Sequence, residues 1–207
     1  MKKYFTLLLI VAAFTSVSLA QMQIGLKAGL NISNISGDDA GSPDSKTGFA
    51  GGLFFMYKFS NMFAIQPEVY YTMKGAKEKE SFGGETVEAT VSLDYIEIPL
   101  LLKLLIPIQG SSINPVIFAG PAVGINTTAK AKLEAGGESF EEDIEDVKST
   151  DFGLVFGGGV GFPVGKNELG FDVRYILGLS TIDDSAEAFD VKNGVINFNV
   201  YFGFSLQ

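Results

Sequence analysis

The connections between the predicted strands of this chain alternate in length. After residue 22 the sequence reads as eight segments in which apolar residues alternate with small or polar ones. The connections are short near 60–61, 108–114 and 165–167, and long, with many Gly, Ser, Asp and Glu, over roughly 33–46, 75–92, 127–150 and 180–193. Tight turns at one end and long loops at the other are typical of antiparallel barrels that cross a membrane. The pattern therefore predicts an all-β fold, an eight-stranded antiparallel up-and-down transmembrane β-barrel.

The composition favours strands over helices. The 207 residues include 18 Phe, 7 Tyr and 25 Gly. Aromatic residues suit a pleated surface, whereas so many glycines disfavour long helices. Mean hydropathy is +0.26, yet past residue 20 no apolar run reaches the ~18–20 residues that a membrane-spanning helix needs. The apolar residues are spread over short alternating segments, as in membrane barrels.

The first twenty residues have the sequence of a secretory signal peptide. A basic start, Met1-Lys2-Lys3, precedes the apolar stretch Phe5–Phe14, and small residues at 18–20 precede the predicted cut after Ala20. A membrane anchor is disfavoured because the apolar stretch is short. We therefore expect residues 1–20 to be removed and 21–207 to form one barrel domain. Gln21 rather than Cys follows the cut, so lipid modification of the N-terminus is not indicated.

The charge of the chain limits its partners. The formal net charge is -9, which is unsuited to nucleic acid, because phosphates are neutralised by Lys and Arg. Acidic residues are concentrated in the predicted long loops. We expect contact with outer-membrane lipid, a monomeric state and an unidentified protein partner bound through these loops. The chain has no Cys, so no disulfide supports it.

Most segments have a large apolar face opposite a small or polar one. In segment one, Leu26 and Leu30 share a face opposite Lys27. Segment four, 93–105, needs a bulge near Tyr95 or Pro99 to keep its phase. Segment five, 115–126, is apolar on both faces and its faces stay unassigned.

The apolar face is predicted to contact lipid. In a soluble barrel such as a lipocalin, large apolar residues fill the interior and polar ones face water. Here the opposite face is rich in glycine with a few charges, which suits the crowded interior of a narrow barrel. A secreted lipocalin-like binder of an apolar ligand remains the soluble alternative.

Two stretches resemble a known family. They are the run from Phe63 to Gly75, which contains Ile65-Gln66-Pro67-Glu68, and the run Tyr95-Ile96-Glu97-Ile98-Pro99-Leu100-Leu101-Leu102-Lys103. They resemble the PorT-like outer-membrane β-barrel family of Bacteroidetes, and the resemblance covers essentially the whole mature chain. It implies an eight-stranded outer-membrane barrel. The secretion role of the family's namesake is not carried over, since the matching motifs lie on structural strands and include no catalytic residues.

The residues needed for most enzymatic chemistry are missing. The sequence has no His and no Cys, which removes catalytic triads, His-type zinc sites and haem ligation through either residue. The Gly157–Gly161 run fails the phosphate-loop spacing, because Val160 replaces the first Gly and Asn167 follows Lys166. The acidic stretch 134–151 lacks the EF-hand calcium spacing, so a solvated loop is favoured over a calcium site. We predict no enzyme, no cofactor and no metal.

One set of charged residues falls on the face assigned to the lumen. It consists of Lys27, Lys58, Glu68, Lys74, Asp172 and Arg174, and Asp94, Glu97 and Lys103 join it depending on the bulge. Charges of both signs in a narrow barrel are expected to pair and fill it, because an unpaired buried charge is costly. The sequence thus predicts a non-enzymatic barrel with a filled lumen and long acidic extracellular loops, in a structural or interaction role. A narrow channel or secretion accessory is the alternative.

Overall fold

The computed structural model describes residues 21–82, 85–186 and 189–206, so the predicted signal peptide lies outside the described residues. Nine strands make up almost all of the described chain. They are β1 Met22–Ser36, β2 Asp44–Lys58, β3 Phe63–Phe82, β4 Glu85–Leu105, β5 Asn114–Ala135, β6 Glu138–Asp143, β7 Thr150–Val164, β8 Asn167–Gly178 and β9 Lys192–Leu206. In the described ranges, no helix is long and apolar enough to cross a membrane.

Eight of the strands close into a ring. Sequential neighbours pair antiparallel from β1 to β5, β5 pairs with β7, and β7, β8 and β9 follow in order. The ring closes between the first and last strands, which pair along their whole length from Met22↔Leu206 to Ser36↔Lys192. Closure leaves none of the eight with an open edge inside the apolar layer, as a spanning barrel requires. The predicted fold is confirmed.

The outward surface is apolar where the strands alternate. On β1, Leu26 is 56% exposed while the neighbouring Lys27 is buried. The other ring strands repeat this alternation, with outward residues such as Leu53, Val69 and Val173. In water this surface would be unfavourable, since each exposed Å² of apolar area costs about 25 cal/mol. The outward apolar side chains form a lipid-facing belt, so the lipocalin-like alternative, which needs a polar exterior, is wrong.

The two ends of the barrel differ. One, the turn end, carries both ends of the described barrel, at Met22 and Leu206, and three short connections at 59–62, 106–113 and 165–166. The other, the loop end, carries the connection 37–43, the connection between β8 and β9, and the extended parts of β3, β4 and β5. Two of the predicted long loops are largely strand. β3 and β4 continue through 75–92 as a paired hairpin, and β5 continues to Ala135 and pairs back with the additional strand β6.

The structure shows which side chains of β4 and β5, the strands that contain segments four and five, point into the barrel. On β4, Leu93, Tyr95 and Glu97 all point inward, so no bulge within that strand is needed, contrary to the prediction. The irregularity lies opposite, because Asp94 pairs with Thr128 and Tyr95 with Asn126, which makes Thr127 the extra residue. The inward side chains of β5 include Val116, Phe118 and Ala122. They pack with Leu101 and Val155 as an apolar cluster inside the barrel, which is why both faces of this segment are apolar.

Candidate functional site: the lumen of the barrel

Four charged side chains meet near the middle of the lumen. Lys27 Nζ lies 2.9 Å from both Glu68 Oε1 and Asp172 Oδ2. Arg174 donates two hydrogen bonds to Glu68, with Nη1–Oε2 at 2.7 Å and Nη2–Oε1 at 3.2 Å. Its Nε lies 3.3 Å from Asp172 Oδ1. Each charge contacts two opposite charges, and the side chains are at most 3% exposed. We call these four residues the central cluster.

The strand periodicity brings these residues together. Lys27 lies on β1, Glu68 on β3, and Asp172 and Arg174 two residues apart on β8, all at inward positions. Because β3 and β8 are not neighbours, the Glu68–Arg174 pair crosses the interior. Gly157, opposite Arg174 on β7, leaves room for the Phe118 ring, since a Cβ there would lie 2.8 Å from Phe118 Cζ.

Neutral polar side chains complete the hydrogen bonding of the central cluster. Gln66 Nε2 donates to Glu68 Oε1 at 2.6 Å, and Asn199 Nδ2 donates to Asp172 Oδ1 at 2.7 Å. Tyr70 donates to Asn199 and stacks beside the Arg174 guanidinium, 5.6 Å from ring centroid to Cζ. A carboxylate needs several donors when it is buried, and the lumen supplies them.

A second cluster lies closer to the loop end. Lys74 Nζ is 2.6 Å from Glu97 Oε2 and 3.6 Å from Asp151 Oδ2. Asn193 Nδ2 donates to the same Asp151 oxygen at 2.9 Å. Lys74 also lies 4.9 Å from the centroid of Tyr95, a cation–π contact. These residues come from four strands, β3, β4, β7 and β9, so this upper cluster joins half of the ring at a second level.

The predicted lysine Lys58 lies elsewhere. It is half-buried at the turn end, where it lines a cavity of about 300 Å³ with Lys103 and Glu168. Lys58 makes no ion pair among the described residues, so it is outside both clusters. Lys103 is buried and donates to Gln66 Oε1 at 3.0 Å. Asp94, the remaining conditional residue, points outward and accepts a hydrogen bond from Tyr71 at 2.6 Å.

The two clusters together with Lys103 are electrically balanced. The basic members are Lys27, Lys74, Lys103 and Arg174, and the acidic members are Glu68, Glu97, Asp151 and Asp172. Four positive and four negative charges cancel. Buried charges are tolerated when paired and hydrogen-bonded, a condition that the two clusters meet. Lys103 and the further buried lysine Lys46 instead donate to neutral oxygens, those of the Gln66 side chain and the Lys74 carbonyl. Within the described ranges, no three metal-ligating side chains are grouped to hold a metal ion.

Sequence reasoning did not single out several members of the lumen. Gln66, Tyr70 and Asn199 all lie at positions whose parity assigned them to the interior, so the alternation itself was the signal. Asp151 was not singled out because it lies at the first residue of its predicted segment, beside a predicted loop. Its role depends on β7 being staggered against β3, which the sequence does not specify.

The fold and its outward apolar belt define an integral outer-membrane β-barrel. The sequence matches the family described as outer membrane protein beta-barrel domain over residues 17–184. The chain therefore belongs to the outer membrane protein beta-barrel domain family, and its location is the outer membrane.

The chain is similar to several solved structures at low sequence identity. Neisserial surface protein A is 18% identical with a TM-score of 0.50, covering 87% of this chain and 97% of that one. Ail, the attachment invasion locus protein of Yersinia pestis, is 16% identical with a TM-score of 0.43, over 89% and 99%. Outer Membrane Protein W of E. coli is 14% identical with a TM-score of 0.42, over 88% and 97%. No curated protein matches the sequence significantly.

Proposed function

We propose that this protein is a non-enzymatic, monomeric barrel whose lumen is closed by its own charged side chains. The observation that carries the proposal is the Glu68–Arg174 pair, which crosses the interior with both side chains 1% exposed. An eight-stranded barrel is just wide enough to be filled by side chains. With the lumen filled, the surface left for function is the lipid-facing belt and the exposed loop end. A structural or interaction role through the long acidic loops, which we place outside the cell, follows.

Planar-bilayer recordings test whether the lumen is closed. The purified wild-type barrel should give no stable conductance. The double variant Arg174→Ala with Glu68→Ala removes the pair that crosses the lumen and serves as the positive control for a wider path. Stable, ion-selective conductance in the wild type would overturn the closed-lumen proposal.

The cavity at the turn end supports a second candidate, a narrow channel. It is about 300 Å³ in volume and is lined by the charged side chains of Lys58, Lys103 and Glu168, as an entrance vestibule would be. A path beyond it must pass the central cluster, where the charges are paired. Conductance that changes its ion selectivity in Lys58→Glu would favour the channel.

The finer family assignment and the processing of the chain are part of the same proposal. The resemblance of the Phe63–Gly75 and Tyr95–Lys103 stretches supports a PorT-like member from Bacteroidetes, and a secretion-accessory role is its functional variant. The basic start and short apolar stretch support cleavage after Ala20. N-terminal sequencing of the membrane-extracted protein should begin at Gln21, and an intact Met1 would contradict cleavage.

A further inference from the structure

Four strands continue beyond the lipid-facing belt at the loop end. They are the second half of β3, the first half of β4, the second half of β5 and all of β6, and they pair in that order. We call this part the loop-end sheet. Its last strand, β6, is exposed at all six residues and pairs only with β5 among the described strands. The free edge of β6 therefore offers unpaired backbone N–H and C=O groups.

On the outward face of the loop-end sheet, charged side chains form ion pairs with one another. Lys77 and Lys79 contact the two oxygens of Glu88 at 2.6 and 3.0 Å, and these hydrogen bonds hold the Glu88 pKa at about 2. Lys130 lies 2.6 Å from Glu141 on the neighbouring strand pair. With opposite charges paired across the strands, this face needs no partner.

The opposite face, which continues the inward face of the barrel, is apolar and partly uncovered. Ala89, Val91, Ala131, Leu133 and Phe140 line a groove of about 330 Å³ that runs to the free edge. Leu133 is 47% and Phe140 64% exposed. An aromatic side chain buries about 150–250 Å² in a protein core. Covering Phe140 would therefore be favourable.

The charge of β6 indicates which kind of strand would pair with its free edge. The six residues of β6, Glu-Ser-Phe-Glu-Glu-Asp, carry four carboxylates and no basic group. Glu138 and Glu142 flank Phe140 on the groove side and form no ion pair among the described residues. A second copy of β6 would place like charges opposite each other, which is destabilising. A cationic strand would place opposite charges there.

We propose that the β6 edge binds an extended, cationic segment of another protein by adding it as a further strand. The segment has an apolar residue between two Lys or Arg residues at alternate positions, so that the apolar side chain covers Phe140 and the cations face Glu138 and Glu142. Backbone hydrogen bonds along the edge supply affinity, and the side chains supply selectivity. This inference rests on the proposed interaction role and names the chemistry of the partner.

Peptide binding to the intact, detergent-solubilised barrel tests the proposal. The probe is a short peptide with Lys, Leu and Lys at alternate positions separated by Thr. One comparison peptide has the same composition with its Lys and Leu residues adjacent, and a second carries N-methyl groups on the edge-facing amides, which removes their donors. The barrel variant is Glu138→Gln with Glu142→Gln. The matched control, Asp38→Asn with Glu80→Gln, removes two charges from exposed sites outside β6, one after β1 and one on β3.

The alternating peptide should bind and should slow amide exchange in β6. Loss of two cross-strand charge pairs should weaken binding by about 2- to 30-fold, whereas the control variant should bind like the wild type. The N-methylated peptide should not bind. Equal binding of the adjacent-charge or N-methylated peptide would show plain electrostatic attraction and overturn the proposal, as would absent binding or edge-to-edge dimers. A conducting wild type would instead overturn the closed lumen and leave this result intact.

Discussion

Replacing Arg174 with Met is the sharpest test of the central cluster. Met keeps much of the side-chain volume but removes the charge and all the donors. Glu68 then loses two hydrogen bonds, at 2.7 and 3.2 Å, and Asp172 loses one at 3.3 Å. Lys27 alone remains to balance both carboxylates. The cluster changes from neutral to a net charge of one negative unit in a site at most 3% exposed.

The expected cost follows from that imbalance. Removing one partner of a buried ion pair destabilises a protein by about 3–5 kcal/mol. Adding Glu68→Gln to Arg174→Met restores neutrality, because Lys27 still lies 2.9 Å from Asp172. The double variant loses hydrogen bonds but holds no uncompensated charge, so we expect a cost of at most about 2 kcal/mol. The second substitution should therefore recover stability that the first one lost.

Unfolding of the barrel in lipid vesicles by urea measures these differences. The chain has no Trp, so far-UV circular dichroism or the gel mobility of unheated samples reports folding. The exposed pair Lys130–Glu141, 2.6 Å apart, is the matched control, and Lys130→Met should cause no measurable loss because solvent screens exposed pairs. If Arg174→Met is no more damaging than this control, or if the double variant is no more stable than the single one, the pairing argument is refuted.

Three further outcomes are expected. Val173→Arg sets a charge against lipid and should cost about 2–4 kcal/mol near the midplane, measured by the same urea titration; unchanged stability would contradict the lipid face. With no native Cys, Asp184→Cys should react with an impermeant maleimide on intact cells and Ser112→Cys should not; the reverse would show inverted orientation. The Glu88 pKa of about 2, held below 4.5 by lysine hydrogen bonds, means that its contribution is complete above pH 4.5 and lost towards pH 2. Amide exchange in the β3–β4 hairpin, corrected for its intrinsic pH dependence, should accelerate over that range, but not in Glu88→Gln.

The sequence predicted the ring strands well because lipid imposes a strict period of two. β1 shows this, since Leu26 and Lys27 could face only lipid and lumen respectively. The prediction of long loops was wrong for the strand segments that extend beyond the lipid-facing belt. The paired residues from Gly75 to Ser92 are polar on one side and mix Ala and Val with Glu on the other, so their alternation was weaker than that of the lipid-facing segments. β5 was ambiguous because Phe118 and Val116 pack inside the lumen instead of leaving it polar.

The members of the charged site were predictable and their partners were not. Parity placed Glu68 and Arg174 on the inward face, and the width of an eight-stranded barrel allowed them to meet. Which cation lies at the height of which carboxylate depends on strand stagger, and stagger is set by register between neighbouring strands. Lys74 thus pairs with Glu97 and Asp151 at another level, and Lys58 at the turn end joins neither cluster.

The pairing of the first strand with the last has a kinetic consequence. Contacts inside the lumen join residues far apart in sequence, such as Glu68 and Arg174, 106 positions apart, and Asn31 and Asn197, 166 apart. Such contacts form late, because a long loop must close before they stabilise the chain. Until β9 pairs with β1, one edge of β1 is unpaired and the Lys27 side chain is exposed to water. Before β1 and β9 pair, the barrel is therefore an open sheet whose polar inner face stays hydrated and cannot be surrounded by lipid. The pairing of β1 with β9 is the step that completes insertion into the membrane.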